Sequence, residues 1–357
     1  MTMQQMQKRL PVAVLGATGM VGQRFIELLQ DHPWFELVAL AASDVHGGRP
    51  YGEVARWRLG GSMPGQVARL PVLPCRPEAL PEIKIAFSAL PAEVAGEVEA
   101  AFAGAGVAVF SNAKSYRMEP DVPLLVPEVN AEHALAIQQQ RKRRGWSGCI
   151  VTNPNCSATP LVMALKPLQQ AFGLRKVLVT TLQAISGAGY PGLPSYDILD
   201  NAIPFISGEE PKVESETLKM LGEWREEEGF NWAPLVVSAH CNRIATREGH
   251  LECVSVELER QASPEEVIAA WEHFLPEPQR LRLPSAPLPP LIYRSEEDRP
   301  QTLHDRDAGQ GMAVTLGRLR PCPVLSYKFV ALAHNTIRGA AGGSLLNAEL
   351  CVSKGLL

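Results

Sequence analysis

The chain has 357 residues, of which 46% are hydrophobic and 20% charged, and its formal net charge is -4. This length suits two domains of ordinary size, and the composition is that of a globular protein. A weakly acidic balance gives no basis for a nucleic-acid or anionic-membrane partner. No apolar run approaches bilayer length, and Met1 to Arg9 has no apolar signal core, so a cytoplasmic protein is expected.

Seven cysteines occur with no C-x-x-C pair. This argues against a disulfide framework or a structural zinc site, and no metal is expected. Cys75, Cys149, Cys241, Cys253, Cys322 and Cys351 read as structural. The basic run Arg141 to Arg144 reads as a solvated helix end, with cations at the negative pole of the dipole.

In chain order, Pro11 to Leu15 is a buried strand by pattern, followed by Gly16, Gly19 and Gly22 and then by an amphipathic helix, Gln23 to Leu29. Strands follow at Leu37 to Ala42, Ile83 to Ser88 and Val107 to Ser111, with a helix at Ala92 to Ala103. This alternation predicts an α/β fold with a Rossmann-like, doubly wound parallel sheet. Glu132 to Arg144 reads as a polar outer helix. Beyond Cys156 the pattern changes. Strands are expected at Lys176 to Gln183, Leu235 to His240 and His250 to Leu258, a Gly/Pro-rich loop at Gly187 to Pro194, and Pro-rich connections from Pro276 to Pro290. This predicts an α+β second domain with a mixed sheet. The expected division is 1-155 and 156-334, with a C-terminal helix in 335-357 packing back on the first domain.

Gly16, Gly19 and Gly22 form G-x-x-G-x-x-G between a strand and a helix, a spacing variant of the dinucleotide fingerprint. The glycines serve the tight turn, the close approach of backbone N–H groups to a pyrophosphate, and helix–strand packing. At the end of the second strand, Asp44 favours NAD through a ribose hydroxyl. Ser43 with Arg49 instead favours the 2′-phosphate of NADP. NADP is the expectation, with NAD possible.

Thr152 to Pro160 reads "TNPNCSATP", a polar turn between a strand and a helix. It offers Cys156 at a helix N-terminus, where a thiolate is stabilised. Asn155 could orient a carbonyl, and the first helical N–H groups could hold an oxyanion. Among the histidines, His32, His46, His133, His273 and His304 read as solvated, while His240, His250 and His334 lie beside strands. His250, after Gly249 at a strand mouth, is the candidate base, although on spacing alone a lone histidine is more often structural. The planar fork of Arg243 suits a carboxylate, or an ordinary ion pair.

These features, with "GATGMVG" at Gly16 to Gly22, "SNAKSYRM" at Ser111 to Met118, "PLLVPEVN" at Pro123 to Asn130, "AISGAGYPG" at Ala184 to Gly192, "GEEPKVESETLKMLG" at Gly208 to Gly222, "HCNRIATREGH" ending at His250 and "HNTIRGAAGGSLLNAEL" at His334 to Leu350, make the whole chain resemble the aspartate-semialdehyde dehydrogenase family, in its archaeal and fungal branch. The resemblance implies NADPH-dependent conversion of aspartyl phosphate to aspartate semialdehyde through a cysteine thioester, in the route to lysine, threonine and methionine. It implies Cys156 as nucleophile and His250 as acid/base. Substrate and phosphate would meet Arg243, Glu209, Lys212, Asn155, and some of Asn112, Lys114 and Arg117. The cofactor would meet Gly16, Thr18, Gly19, Met20, Val21, Gly22, Ser43, Arg49, Ser186, Gly187 and Asn335. A homodimer or homotetramer built on the second domain is also implied. The same scaffold resembles malonyl-CoA reductases, which act on a CoA ester. N-acetyl-glutamyl-phosphate reductase is a more distant relative in the neighbourhood of its cysteine. A nucleotide sensor that kept the fold without activity is the non-enzymatic alternative.

Overall fold

The structure is a computed structural model and describes residues 9-43 and 47-357, so Asp44 and His46 lie outside the described residues. The chain divides into two units. The first comprises the chain up to Leu125 together with Glu132–Asn153 and Ser344–Leu357, and the second comprises Val126–Ala131 and Pro154–Gly343.

The first unit holds six strands: β1 (Leu10–Leu15), β2 (Phe35–Ala42), β3 (Val72–Pro74), β4 (Ile85–Ser88), β5 (Ala108–Ser111) and β6 (Cys149–Thr152). All pair in parallel, in the order β3-β2-β1-β4-β5-β6. Strands buried on both faces must be apolar throughout, which is why they read as short unbroken apolar runs. Parallel strands need crossover connections, which the helices Met20–Leu28, between β1 and β2, and Ala92–Gly104, between β4 and β5, supply. The order reverses beside β1, and such a switch point is where doubly wound sheets place ligands, beyond the carboxyl ends of the strands.

Three expectations need correction in this unit. Glu132 to Arg144 is not one outer helix. It forms a 3-10 turn, Ala131–Leu135, and then the helix Ala136–Arg144, whose inner residues Ile137 and Gln140 are buried. Gln140 explains its own burial, because its amide accepts from Ile150 N–H at 2.7 Å and donates to Ile150 C=O at 2.9 Å, as a neighbouring strand would. His32 and His133 are buried rather than solvated. His32 Nδ1 accepts the N–H groups of Trp34 and Phe35, so Nε2 donates to Glu349 at 2.8 Å. Arg144 is not merely solvated, since it forms a two-pronged ion pair with Asp121 at 2.6 Å and lies over Tyr116 and Trp146.

The second unit adds β7 (Leu174–Gln183), β8 (Ala202–Ile203), a hairpin of β9 (Glu223–Arg225) and β10 (Gly229–Asn231), β11 (Val236–Ile244), β12 (His250–Leu258), β13 (Leu291–Arg294), β14 (Val314–Pro321) and β15 (Tyr327–Ala333). Seven of them form a mixed sheet in the order β13-β14-β15-β12-β7-β11-β8. One strand runs longer than its pattern suggests. β11 continues past His240 through polar Asn242 and Arg243 because it pairs with β7 up to Gln183.

Strand alternation sorts the side chains of this sheet into two faces. Register sets Thr181 opposite both Cys241 and Glu252, and Gln183 opposite Arg243. His250 and Glu252 share that face by alternation, and all six side chains are buried. The other face carries Leu178, Ser238, His240 and Cys253, with Leu178 and Val236 prominently exposed.

Glu252 is fully buried, and neither carboxyl oxygen has a hydrogen-bond partner. Burial pushes its pKa well above the ordinary value of 4.5, so the native protein carries it as a neutral acid. The unfolded chain releases that proton above pH 4.5 and the native chain keeps it, so this group weakens the fold as pH rises. Glu252→Gln is therefore expected to be more stable than the parent at neutral pH. The advantage should grow by up to about 1.4 kcal/mol per pH unit. Urea unfolding of both proteins at pH 6, 7 and 8 checks this, and a difference independent of pH would refute it.

Candidate active site

The helix Ala158–Phe172 follows the turn that carries Cys156. Its first N–H groups need acceptors. Asn155 supplies one, its Oδ1 taking the N–H groups of Ser157 at 2.8 Å and Ala158 at 3.2 Å. These two N–H groups are therefore already taken by Asn155. Asn155 is buried too, and its Nδ2 donates to Glu209 Oε1 at 2.7 Å. Its amide thus shapes the turn, and Cys156 itself stays partly exposed.

His250 stands 3.2 Å from Cys156, Nε2 to Sγ, and is fully buried. Its Nδ1 accepts the N–H of Ala184 at 3.1 Å. A nitrogen that accepts cannot carry the proton, so in the neutral ring the proton sits on Nε2 and points at the sulfur. Burial, then the nearby Arg243, lowers the His250 pKa to about 3. The ring is neutral at physiological pH.

Arg243 leaves β11 on the same face and donates from Nη1 to Ala184 C=O at 2.7 Å. Burial lowers its pKa, while Cys156 and Glu209 act in the opposite direction, so the guanidinium feels the thiol electrostatically. Gly187 lies between the two basic side chains. A Cβ there would come within 2.6 Å of Arg243 Nη1 and 3.2 Å of His250. Gly339 is required by a similar approach, since its Cβ would lie 2.7 Å from that of Cys156.

The helix Glu209–Leu221 brings Glu209 and Lys212 together, one turn apart, with Nζ to Oε2 at 2.5 Å. Burial raises the Glu209 pKa, but the Lys212 ammonium and hydrogen bonds from Lys212, Asn155 and Gln183 outweigh it and hold the carboxyl below its ordinary value. Gln183, which reaches Glu209 at 3.1 Å, carries no signal in the sequence beyond its place at a strand end. A second network holds the turn Ile185–Ala188. Asn335 accepts Gly249 N–H at 2.8 Å and donates to Ser186 Oγ at 2.8 Å, and Ser186 donates to Glu248 at 2.9 Å. Cys156, His250, Arg243, Glu209, Lys212, Asn155, Ser186, Gly187 and Asn335 therefore all belong to the second unit.

The remaining candidates belong to the first unit. Asn112, Lys114 and Arg117 follow β5. Asn112 is tied to Ser88, Asn153 and Ser344, Lys114 is exposed, and Arg117 is buried and donates to Asn112 C=O at 2.8 Å. The glycine loop lines a cavity of about 690 Å³ together with Thr18, Ser43, Arg76 and Leu90. Gly16 has φ +76°, and a Cβ on it would meet Ala89 C=O at 2.6 Å. A Cβ on Gly22 would meet Gly16 C=O at 2.3 Å. Met20 and Val21 open the helix behind the loop. Arg49 does not line this cavity, and is exposed beside Glu53 at 3.7 Å. Arg76 lines it together with Ser43, each lying just beyond the paired ends Ala42 and Pro74 of β2 and β3. No group of three or more metal-ligating side chains occurs among the described residues.

Comparison with known proteins agrees along the whole chain. Residues 11–137 match the family model for the semialdehyde dehydrogenase NAD binding domain, and residues 165–338 match that for the semialdehyde dehydrogenase dimerisation domain. The chain is 50% identical to an aspartate-semialdehyde dehydrogenase of Archaeoglobus fulgidus, over 98% of this chain and 100% of that one. It is 43% identical to a malonyl CoA reductase (NADP) of Metallosphaera sedula, over 99% of both. Among solved structures it is similar to aspartate semialdehyde dehydrogenase with NADP from Candida albicans, with a TM-score of 0.90, 42% identity, and coverage of 98% of this chain and 100% of that one.

Proposed function

Because the chain belongs to the aspartate-semialdehyde dehydrogenase family, we propose that it reduces L-aspartyl-4-phosphate to L-aspartate 4-semialdehyde and phosphate, with NADPH as hydride donor, in the supply of lysine, threonine and methionine. The single observation that carries this reading is the Cys156–His250 pair at 3.2 Å with Arg243 on the same buried sheet face.

The chemistry follows from the proton on Nε2. Cys156 as thiolate is stabilised by that N–H and by the Arg243 charge. It attacks the acyl carbon, the C–O bond to phosphate breaks, and a thioester remains on Cys156. A bound nicotinamide cofactor supplies the hydride for the reduction that follows. The oxygen of the resulting thiohemiacetal takes a hydrogen bond from His250 Nε2–H. When the C–S bond breaks, the aldehyde leaves and the same N–H returns to the thiolate. His250 thus serves as a donor throughout, and the thiol proton goes to solvent. Arg243, with Glu209 and Lys212, binds the charged ends of the substrate. Asn112, Lys114 and Arg117 remain proposed phosphate contacts.

The glycine loop fits a dinucleotide, because a Cβ on Gly16 or Gly22 would strike backbone at 2.6 or 2.3 Å, so only glycine allows this tight turn and close helix packing, and Gly16, Thr18 and Gly19 line the cavity. Gly16, Thr18, Gly19, Met20, Val21 and Gly22 would hold it, with Ser43 and Arg76 at the 2′-phosphate of NADP and Ser186, Gly187 and Asn335 at the nicotinamide. We also propose a homodimer or homotetramer that covers the open sheet face with a second copy, a reading supported by exposed Leu178 and Val236 on that face. Seven free cysteines fit a reducing, cytoplasmic setting.

A CoA-ester reductase is the second reading, favoured by the full-length similarity to the malonyl CoA reductase. One assay separates them. Purified protein with aspartate semialdehyde and NADP is expected to form NADPH only when inorganic phosphate is added. Turnover that needs free CoA instead would favour the second reading and overturn the first.

A further inference from the structure

The helix Glu209–Leu221 presents four carboxylates, each accepting from a different N–H group outside the helix. On one flank Glu210 accepts the N–H of Cys241 at 3.1 Å and Glu214 accepts that of Ala239 at 3.0 Å. β8 pairs only with Arg243 and Ile244, so these carboxylates, one helical turn apart, stand in for the strand that β11 lacks along its outer edge. On the other flank, Glu209 takes the side-chain amide of Asn155 at 2.7 Å, and Glu216 takes the backbone N–H of the same residue at 2.6 Å. Glu216 is almost completely buried.

One rigid helix therefore holds the strand that ends in Arg243 and, separately, the peptide that precedes Cys156. Glu209 already has a role toward substrate, while Glu216 has none. Its short bond to Asn155 lies one residue from the nucleophile, and on the far side of the turn Gly339 packs against Cys156. We propose that Glu216 is a positioning residue for the nucleophile: its side-chain oxygen holds the Asn155 N–H and so sets where Cys156 Sγ stands relative to His250 and Arg243. This rests on the reading of Cys156 as the reactive thiol.

The proposal is about reach and acceptance, not charge. Glu216→Asp keeps the charge but withdraws the oxygen by one methylene. Glu216→Gln loses the charge but keeps an acceptor at the same reach. Glu214→Leu breaks a carboxylate contact of the same helix away from Cys156 and serves as the structural control. The readout is the rate of Cys156 alkylation by iodoacetamide, followed by peptide mass spectrometry, which requires no substrate, together with kcat, KM and Tm. Glu216→Asp is expected to slow alkylation and lower kcat on the order of tenfold to a hundredfold, with KM little changed. Glu216→Gln should stay close to the parent, and Glu214→Leu should lower Tm without slowing alkylation.

Alkylation of Glu216→Asp at the parent rate would overturn the proposal, as would equal slowing in Glu216→Gln or Glu214→Leu. If Cys156 of the parent is not alkylated in preference to the other six cysteines, the functional reading fails and the proposal falls with it. If the parent is labelled selectively and the variants depart from the pattern expected above, the proposal alone is refuted.

Discussion

Replacing Cys156 by alanine is expected to abolish turnover in both directions while leaving the fold intact. The thiol is partly exposed at the mouth of the Ala158–Phe172 helix, and that turn is held by Asn155 rather than by the sulfur. Loss of Sγ therefore removes the one atom proposed to form the thioester and very little packing. Where a nucleophile and its partner act as a unit, losing either costs on the order of 10⁴-fold or more in kcat. Far-UV circular dichroism and Tm should match the parent. Activity within about tenfold of the parent would show that another group carries the acyl transfer.

The second large effect concerns stability. Arg338 lies in the π-helical turn Ile337–Ala341, fully buried, and grips Glu128 with both arms at 2.7 and 2.5 Å. Gln279 adds a third contact to the same carboxylate. Arg338→Met keeps most of the volume but leaves the Glu128 charge buried with only that amide. Breaking such a pair costs about 3–5 kcal/mol. In a unit of this size that is a fall in Tm of roughly 6–20 °C. The double variant Arg338→Met, Glu128→Leu should recover much of the loss, because the uncompensated charge is then gone as well. A single variant within about 1 kcal/mol of the parent would mean that the pair contributes little. The neighbouring Gly339 touches Cys156, so the weakened turn should also lower kcat.

Much of the fold is legible because its elements carry local signals. The parallel strands are apolar runs, the glycine loop stands between a strand and a helix, and β12 spans His250 to Leu258 as its alternation suggests. The thiol turn is legible because Asn and Pro residues flank a lone cysteine. The misses share one physical cause, since the worth of a polar residue depends on a partner distant in sequence. Gln140 reads as surface until Ile150 is seen beside it. Arg76 carries no signal beyond its charge until the fold sets it with Ser43 on the lining of one cavity. Glu216 is one of four similar carboxylates on a helix until Asn155, far away in sequence, comes within 2.6 Å of it. The burial of His250, which settles its neutral state, is likewise a property of the sheet and not of the residues next to it.

The most direct test is a single turnover in the absence of phosphate. Protein mixed with aspartate semialdehyde and excess NADP is expected to release one NADPH per chain in a burst and then stop, because no acceptor is present for the acyl group. Mass spectrometry of the arrested protein should find an aspartyl group on the peptide carrying Cys156, and added phosphate should remove it and restart turnover. A burst with the acyl group on any other residue, or NADPH release that continues without phosphate, CoA or another acceptor, would contradict the account.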